Sequence, residues 1–183
     1  MPAQMIDLNG VVGRIHPFLR RVMGKNITLV TDLTTPLARV NADPGQIERL
    51  IMSLAVIAKT SMPKGGHLAI ATTNVELDAQ YVAEHCGASP GPHVMLAVSD
   101  SGTGVDVIVQ RRAIEQFFRT EEFDKSTDPG LATVYRIVKQ SRGSIWVFSE
   151  AGVGSTFRVY LPARITQTGK VLAACTDDPV APS

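Results

Sequence analysis

The chain has 183 residues, 44% hydrophobic and 19% charged, with 18 Lys and Arg against 17 Asp and Glu for a net charge of +1. That length suits one domain with a full-sized core, and the balanced charge and sparse aromatics (5%) argue against nucleic acid as the main partner. Cys86 and Cys175 stand far apart and suggest no disulfide framework, no apolar run approaches the ~18 residues that span a bilayer, and no signal peptide is visible, so the expectation is a cytoplasmic domain without direct membrane contact.

In chain order, Asp7 is placed to cap a helix from Leu8 to Met23, because Val11, Val12, Ile15, Phe18, Leu19 and Val22 recur at helical spacing. Ile27–Val30 alternates and reads as a strand ending near Thr34-Thr35-Pro36. Asp43-Pro44 joins an N-cap to a proline at the first helical position and opens a helix to Ser61. Gly65-Gly66 turns the chain into a strand from His67 to Val75. Residues 78–92 are polar and rich in Gly and Pro, which reads as a surface loop leading to a strand at Val94–Ser99. A helix over Val107–Phe117 follows, then a charged, aperiodic loop over Arg119–Asp128. A helix from Pro129 to Gln140 and strands at Ser144–Phe148 and Thr156–Leu161 complete the pattern. Residues 1–163 therefore read as one α/β domain, a two-layer sandwich, and 164–183 as a flexible tail or linker.

The motif that carries chemistry is Ser99-Asp100-Ser101-Gly102-Thr103-Gly104, which closes the apolar run Val94–Val98. A strand ending in Asp and then Gly-x-Gly suits a nucleotide pocket: the carboxylate accepts from an adenine amino group and the glycines let backbone approach the ligand. The same residues also suit a plain strand-to-loop turn in which Asp100 bonds its own loop. The histidines offer less. His16 reads as a surface residue on the first helix, His67 begins a strand, and His85 and His93 lie in or beside a loop, a scatter that makes no metal site. Cys86 has no activating partner beyond its neighbour His85.

Five segments stand in a telling order: Asp43-Pro44-Gly45-Gln46 with Ile51–Ala58, then Ser99–Gly104, Phe117-Phe118, Gly130–Tyr135 and Gly152–Phe157. From Asp7 to Pro162 the chain resembles the catalytic ATP-binding domain of sensor histidine kinases, in the gyrase, Hsp90, histidine kinase and MutL ATPase superfamily. The five segments match that family's N-box, first glycine box, F-box, second glycine box tail and last glycine box. The resemblance implies a Bergerat-type fold, a mixed and mostly antiparallel sheet packed against three helices. It implies a nucleotide site at Asp100, Gly102, Gly104, Gly130, Leu131 and Thr156, the last as a hydroxyl near the adenine.

The chain departs from the family where phosphate and metal are handled. The N-box supplies two asparagines four residues apart to hold Mg²⁺, and this chain has Ser53 and Ile57 there. Isoleucine has no lone pair for a hard cation, so the resemblance implies a lost Mg²⁺ site. Ser53 also stands where hydrolytic members of the superfamily carry a glutamate base, which makes a gyrase-like or chaperone-like ATPase the weakest reading. After the paired aromatics the family runs Thr-Thr-Lys and then through glycines. Here Arg119-Thr120-Glu121 follows, with Asp124, Ser126 and Asp128 in place of glycines and Pro129 in place of leucine. Glycines wrap phosphates with their N–H groups, whereas aspartates restrict the backbone and add like charge. Asp128-Pro129 forms a self-sufficient helix start, with the Asp128 carboxylate in place of the phosphate at that helix N-terminus.

Two readings follow from this pattern. In the first, the chain is a degenerate histidine kinase-like domain, a pseudokinase, with ATP or ADP as weak ligands. It acts as a regulatory or docking module toward a histidine-containing helical hairpin or a receiver domain. The alternative is an active ATP-dependent protein-histidine kinase domain whose acceptor hairpin lies outside this chain.

Overall fold

The computed structural model describes residues 3–85, 88–102, 111–112, 114, 129–150 and 153–164. Helix α1 (Leu8–Met23) begins where Asp7 accepts from Asn9 N at 2.9 Å and buries Leu8, Val11, Val12, Ile15, Leu19 and Met23. Of the anticipated face, Val22 is only half-buried and Phe18 is exposed, because it lies at the margin of the apolar stripe. Helix α2 (Pro44–Thr60) starts at the Asp43-Pro44 cap and buries Ile47, Leu50, Ile51, Leu54, Ala55 and Ala58. A fully buried side chain of this size contributes about 1.5–3 kcal/mol, so α2 is anchored mainly by that face.

Among the described residues, seven strands form two sheets. Strands β1 (Gln4–Ile6) and β3 (Val40–Ala42) pair antiparallel as a small separate ribbon. The main sheet joins β2 (Ile27–Leu33), β4 (Gly66–Leu77), β5 (Gly91–Asp100), β6 (Ser144–Glu150) and β7 (Gly154–Pro162) in the order β2-β4-β5-β7-β6. Only β2 and β4 run parallel; the other pairs are antiparallel. Helices α1 and α2, with a later helix over Pro129–Gln140, pack on one face of this sheet, whose Leu68, Ile70, Val94, Leu96, Val98, Phe157 and Val159 are all buried. The mixed, mostly antiparallel sheet under three helices is the expected architecture.

Residues 78–92 differ from the expected loop. They contain a short helix, α3 (Ala79–Glu84), and the start of β5. Asp78 caps α3 by accepting from Tyr81 N at 2.8 Å, and Tyr81 packs with Val75, Leu77 and Tyr160 on the sheet face opposite the long helices. Polar composition hid a helix of six residues held by one buried aromatic. His85, at the end of α3, stacks on Tyr81 with centroids 3.8 Å apart, and His93 is buried within β5 rather than beside a loop. Helix α4 (Pro129–Gln140) begins at the expected proline. Of the helix expected over Val107–Phe117, Arg111, Arg112 and Ile114 are helical, and its remaining residues lie outside the described ones, as do the loop 119–128 and the tail from 165. Among the described residues no helix is long and apolar enough to cross a membrane.

Candidate nucleotide site

Asp100 is the last residue of β5 and shares strand parity with Val94, Leu96 and Val98, so its side chain leaves the sheet on the helix-covered face. Three donors meet it there. Gly102 N lies 2.8 Å from Oδ1, Ser61 Oγ lies 3.2 Å from the same oxygen, and Ser155 Oγ lies 2.9 Å from Oδ2. A carboxylate offers about four acceptor positions, so one is left for an external donor. Ser61 closes α2 as its C-cap, and its hydroxyl is also 2.9 Å from Ala58 O, so a single proton is shared between a helix carbonyl and Asp100.

Two glycines set the close approaches. A Cβ at Gly102 would sit 2.3 Å from Ser61 O, so only glycine lets the loop after β5 pass the end of α2. Gly154 has φ of +140°, and a Cβ there would lie 1.9 Å from Asp100 O. Next to Gly102, Ser101 Oγ accepts from His67 N at 2.9 Å and contacts Met62 Sδ at 3.6 Å, tying the loop to the start of β4.

A cavity of about 290 Å³ opens beside Asp100, lined also by Phe148, Glu150, Gly154, Ser155 and Thr156. Two guanidinium groups contact the Phe148 ring, with Arg158 4.4 Å and Arg111 5.6 Å from its centroid. Arg111 donates from Nε and Nη2 to Val147 O at 3.1 and 2.9 Å, which fixes the segment after the glycine loop against the edge strand β6. The remaining acceptor position of the Asp100 carboxylate can take an external amino donor on the helix-covered face, whereas Phe148, the cross-strand partner of Thr156, shares the parity of Thr156 and Ser99 on the other face. Such a donor would be oriented by Asp100, itself held by Gly102, Ser61 and Ser155; nothing among these residues forms a nucleophile–base pair.

The sequence-derived residues divide as follows. Asp100 and Gly102 meet at the site. Thr156 lines the cavity, yet its Oγ1 is 2.9 Å from Ser99 Oγ, on the opposite side of the sheet from the Asp100 carboxylate. The β7 hydroxyl on Asp100 belongs to Ser155, the cross-strand partner of Asp100, whereas Thr156 faces Ser99. Parity carried that signal: Ser155 alternates with the buried Phe157, Val159 and Leu161. Ser61 and Arg111 were also missed, and no local pattern marks either. Leu131 lies in the hydrophobic core, 3% exposed, and Gly130 is half-buried in the first turn of α4. On α2, Ser53 is half-buried and Ile57 packs against the core. Gly104, Glu121, Ser126 and Asp128 lie outside the described residues. At the α2 position where the resemblance implies an oxygen ligand for Mg²⁺, Ile57 presents a hydrocarbon, which offers a hard cation no lone pair.

Comparison with known proteins agrees with this architecture. The family model described as Histidine kinase-, DNA gyrase B-, and HSP90-like ATPase matches residues 42–165. Sensor kinase CckA of Brucella abortus is 36% identical over 164 residues, covering 90% of this chain and 17% of its own length. Sensor histidine kinase ZraS of Escherichia coli is 28% identical over 165 residues, covering 90% of this chain and 32% of its own. The chain thus spans less than a third of either relative. Among solved structures, the mycobacterial sensor histidine kinase MprB superposes with a TM-score of 0.65 at 21% identity, covering 88% of this chain and 98% of that one. The histidine kinase domain of the E. coli osmosensor EnvZ gives 0.64 at 23%, covering 97% of each.

Proposed function

The chain belongs to the histidine kinase-, DNA gyrase B- and HSP90-like ATPase family, and from that premise we propose that it is a two-component histidine kinase-type domain that keeps the base-binding half of its nucleotide site and has lost the half that handles metal and phosphate. It binds ATP or ADP weakly, gains nothing from Mg²⁺, and serves as a regulatory or docking module. The observation that carries this reading is Ile57, half-buried and packed on the core one turn after Ser53, where the family's metal-binding asparagine belongs. Glu121, Ser126 and Asp128 in place of a lysine and glycines point the same way. Asp100 supports it further, since three internal donors leave its carboxylate one free acceptor position.

Partners follow from the family chemistry. The histidine kinase ThkA has been solved with its response regulator TrrA. For this chain a receiver domain, or a histidine-bearing helical hairpin, is the corresponding partner class, and a cytoplasmic location goes with it. The experiment is calorimetric titration of ATP and ADP with and without Mg²⁺. Weak binding that is indifferent to magnesium, or no detectable heat, is expected. Micromolar binding strengthened by magnesium overturns the reading and favours an active kinase domain. Ile57→Asn alone should leave phosphotransfer to a partner hairpin unrestored, because the phosphate loop is altered as well.

A further inference from the structure

Among the described residues, strand β2 is an outer strand of the main sheet and pairs only with β4. In a parallel pair alternate residues turn their N–H and C=O groups away from the partner, so β2 presents a row of backbone donors and acceptors at the sheet edge. Among the described residues no backbone hydrogen bond reaches that row. Proteins commonly blunt such an edge with lysine, proline, a bulge or a covering element. Ile27–Leu33 contains no Lys, Pro or Gly, its one charge is Asp32 toward the far end, and Val30 is 45% exposed.

The near end of this edge is strongly cationic. Arg20 and Arg21 from the last turn of α1, with Lys25 just beyond it, line a groove of about 670 Å³ together with Ile27, Thr28 and Leu29. Among the described residues no acidic side chain lines it, and none of the three cations has an ion pair or a side-chain hydrogen bond. The helix dipole accounts for basic residues in the last turn of α1. It does not account for Lys25, which lies past the helix, or for the lack of a counter-charge in a chain whose net charge is only +1.

We propose that the β2 edge is a docking strand for an extended acidic segment of a partner protein. The segment adds to the sheet through its main chain and sets carboxylates against Arg20, Arg21 and Lys25. In an added strand, side chains on one face repeat every ~6.6–6.8 Å, so alternating acidic residues present a carboxylate row to the groove while the backbone pairs with β2. The inference rests on the fold and this groove alone and is independent of the nucleotide site.

The test is fluorescence anisotropy on the full chain with a labelled, end-blocked peptide of alternating valine and glutamate. Controls are the same peptide with lysine for glutamate, and the glutamate peptide N-methylated along the edge that would pair. Binding of the glutamate peptide alone is expected, together with amide shift changes over Thr28–Thr31 in NMR spectra. The double variant Arg20→Glu/Lys25→Glu, with an unchanged thermal melt, should bind at least about tenfold more weakly. No binding of the glutamate peptide overturns the proposal. So does equal binding of the methylated peptide, which would mean charge attraction without strand addition. Binding of the chain to anionic lipid vesicles, with no peptide binding, would assign the cations to a membrane surface and likewise overturn it.

Discussion

Replacing Ser155 by alanine removes the hydroxyl that donates to Asp100 Oδ2 at 2.9 Å and leaves the rest of β7 in place. A hydrogen bond to a charged acceptor contributes about 1.5–3 kcal/mol when buried. Ser155 is 3% exposed, but Asp100 is half-buried and faces a cavity of about 290 Å³, so water can replace part of what is lost. The expected cost is therefore near the lower end, about 1.5 kcal/mol, or a fall in Tm of roughly 3–6 °C for a chain of this size. Thr156→Val is the matched control on the opposite face. It breaks only the neutral contact with Ser99 at 2.9 Å, and it should cost about 0.5–1 kcal/mol. Urea unfolding of both variants, with m-values compared, measures the difference. Ser155→Ala should lose most of its effect in an Asp100→Ala background, because the two side chains act as one unit. If Ser155→Ala costs less than Thr156→Val, or its cost is unchanged without the carboxylate, the assignment of Ser155 to Asp100 would be falsified.

Gly154→Ala would place a Cβ 1.9 Å from Asp100 O in a backbone with φ of +140°, and a destabilisation of about 3 kcal/mol or more is expected in thermal melts. Gly13→Ala should act in the opposite sense: it lies in the α1 interior with nothing within 4 Å of an added Cβ, so a gain of about 0.5–1 kcal/mol is expected by urea unfolding. Burial holds the His93 imidazole below its ordinary pKa despite the bond from Nδ1 toward Gly91 O at 2.9 Å. The unfolded chain then binds the proton more readily, so His93 costs nothing above the ordinary histidine pKa and costs progressively more stability as pH falls below it toward the depressed folded value. His93→Phe should flatten that part of the stability profile below neutral pH, as followed by urea unfolding across a pH series; an unchanged slope refutes the assignment.

The three long helices were legible because their signals are local. Asp7 and Asp43 cap the first two where their side chains sit, Pro129 opens the third, and apolar residues at helical spacing fix the buried faces. The Asp100 turn and its glycines were equally visible, since a strand that ends in Asp and Gly-x-Gly is a contiguous pattern. What the tertiary structure decided is non-local. Asp100 meets Ser61 across 39 residues and Ser155 across 55, and neither pairing exists until the end of α2 and the β5–β7 register are both set. A one-residue difference along β7 moves a hydroxyl to the other face of the sheet, which is why Ser155 bonds Asp100 whereas Thr156 bonds Ser99. The β1–β3 ribbon and helix α3 escaped notice for the same reason. A strand of three residues and a helix of six lack enough periodicity to declare themselves, and each is held by a remote partner: β3 for β1, and Tyr160 beneath Tyr81 for α3. Sequence alone determined which residues could form the elements and the carboxylate turn; only the folded register, by bringing distant hydroxyls onto Asp100 and leaving the β2 edge open, decided what those residues face.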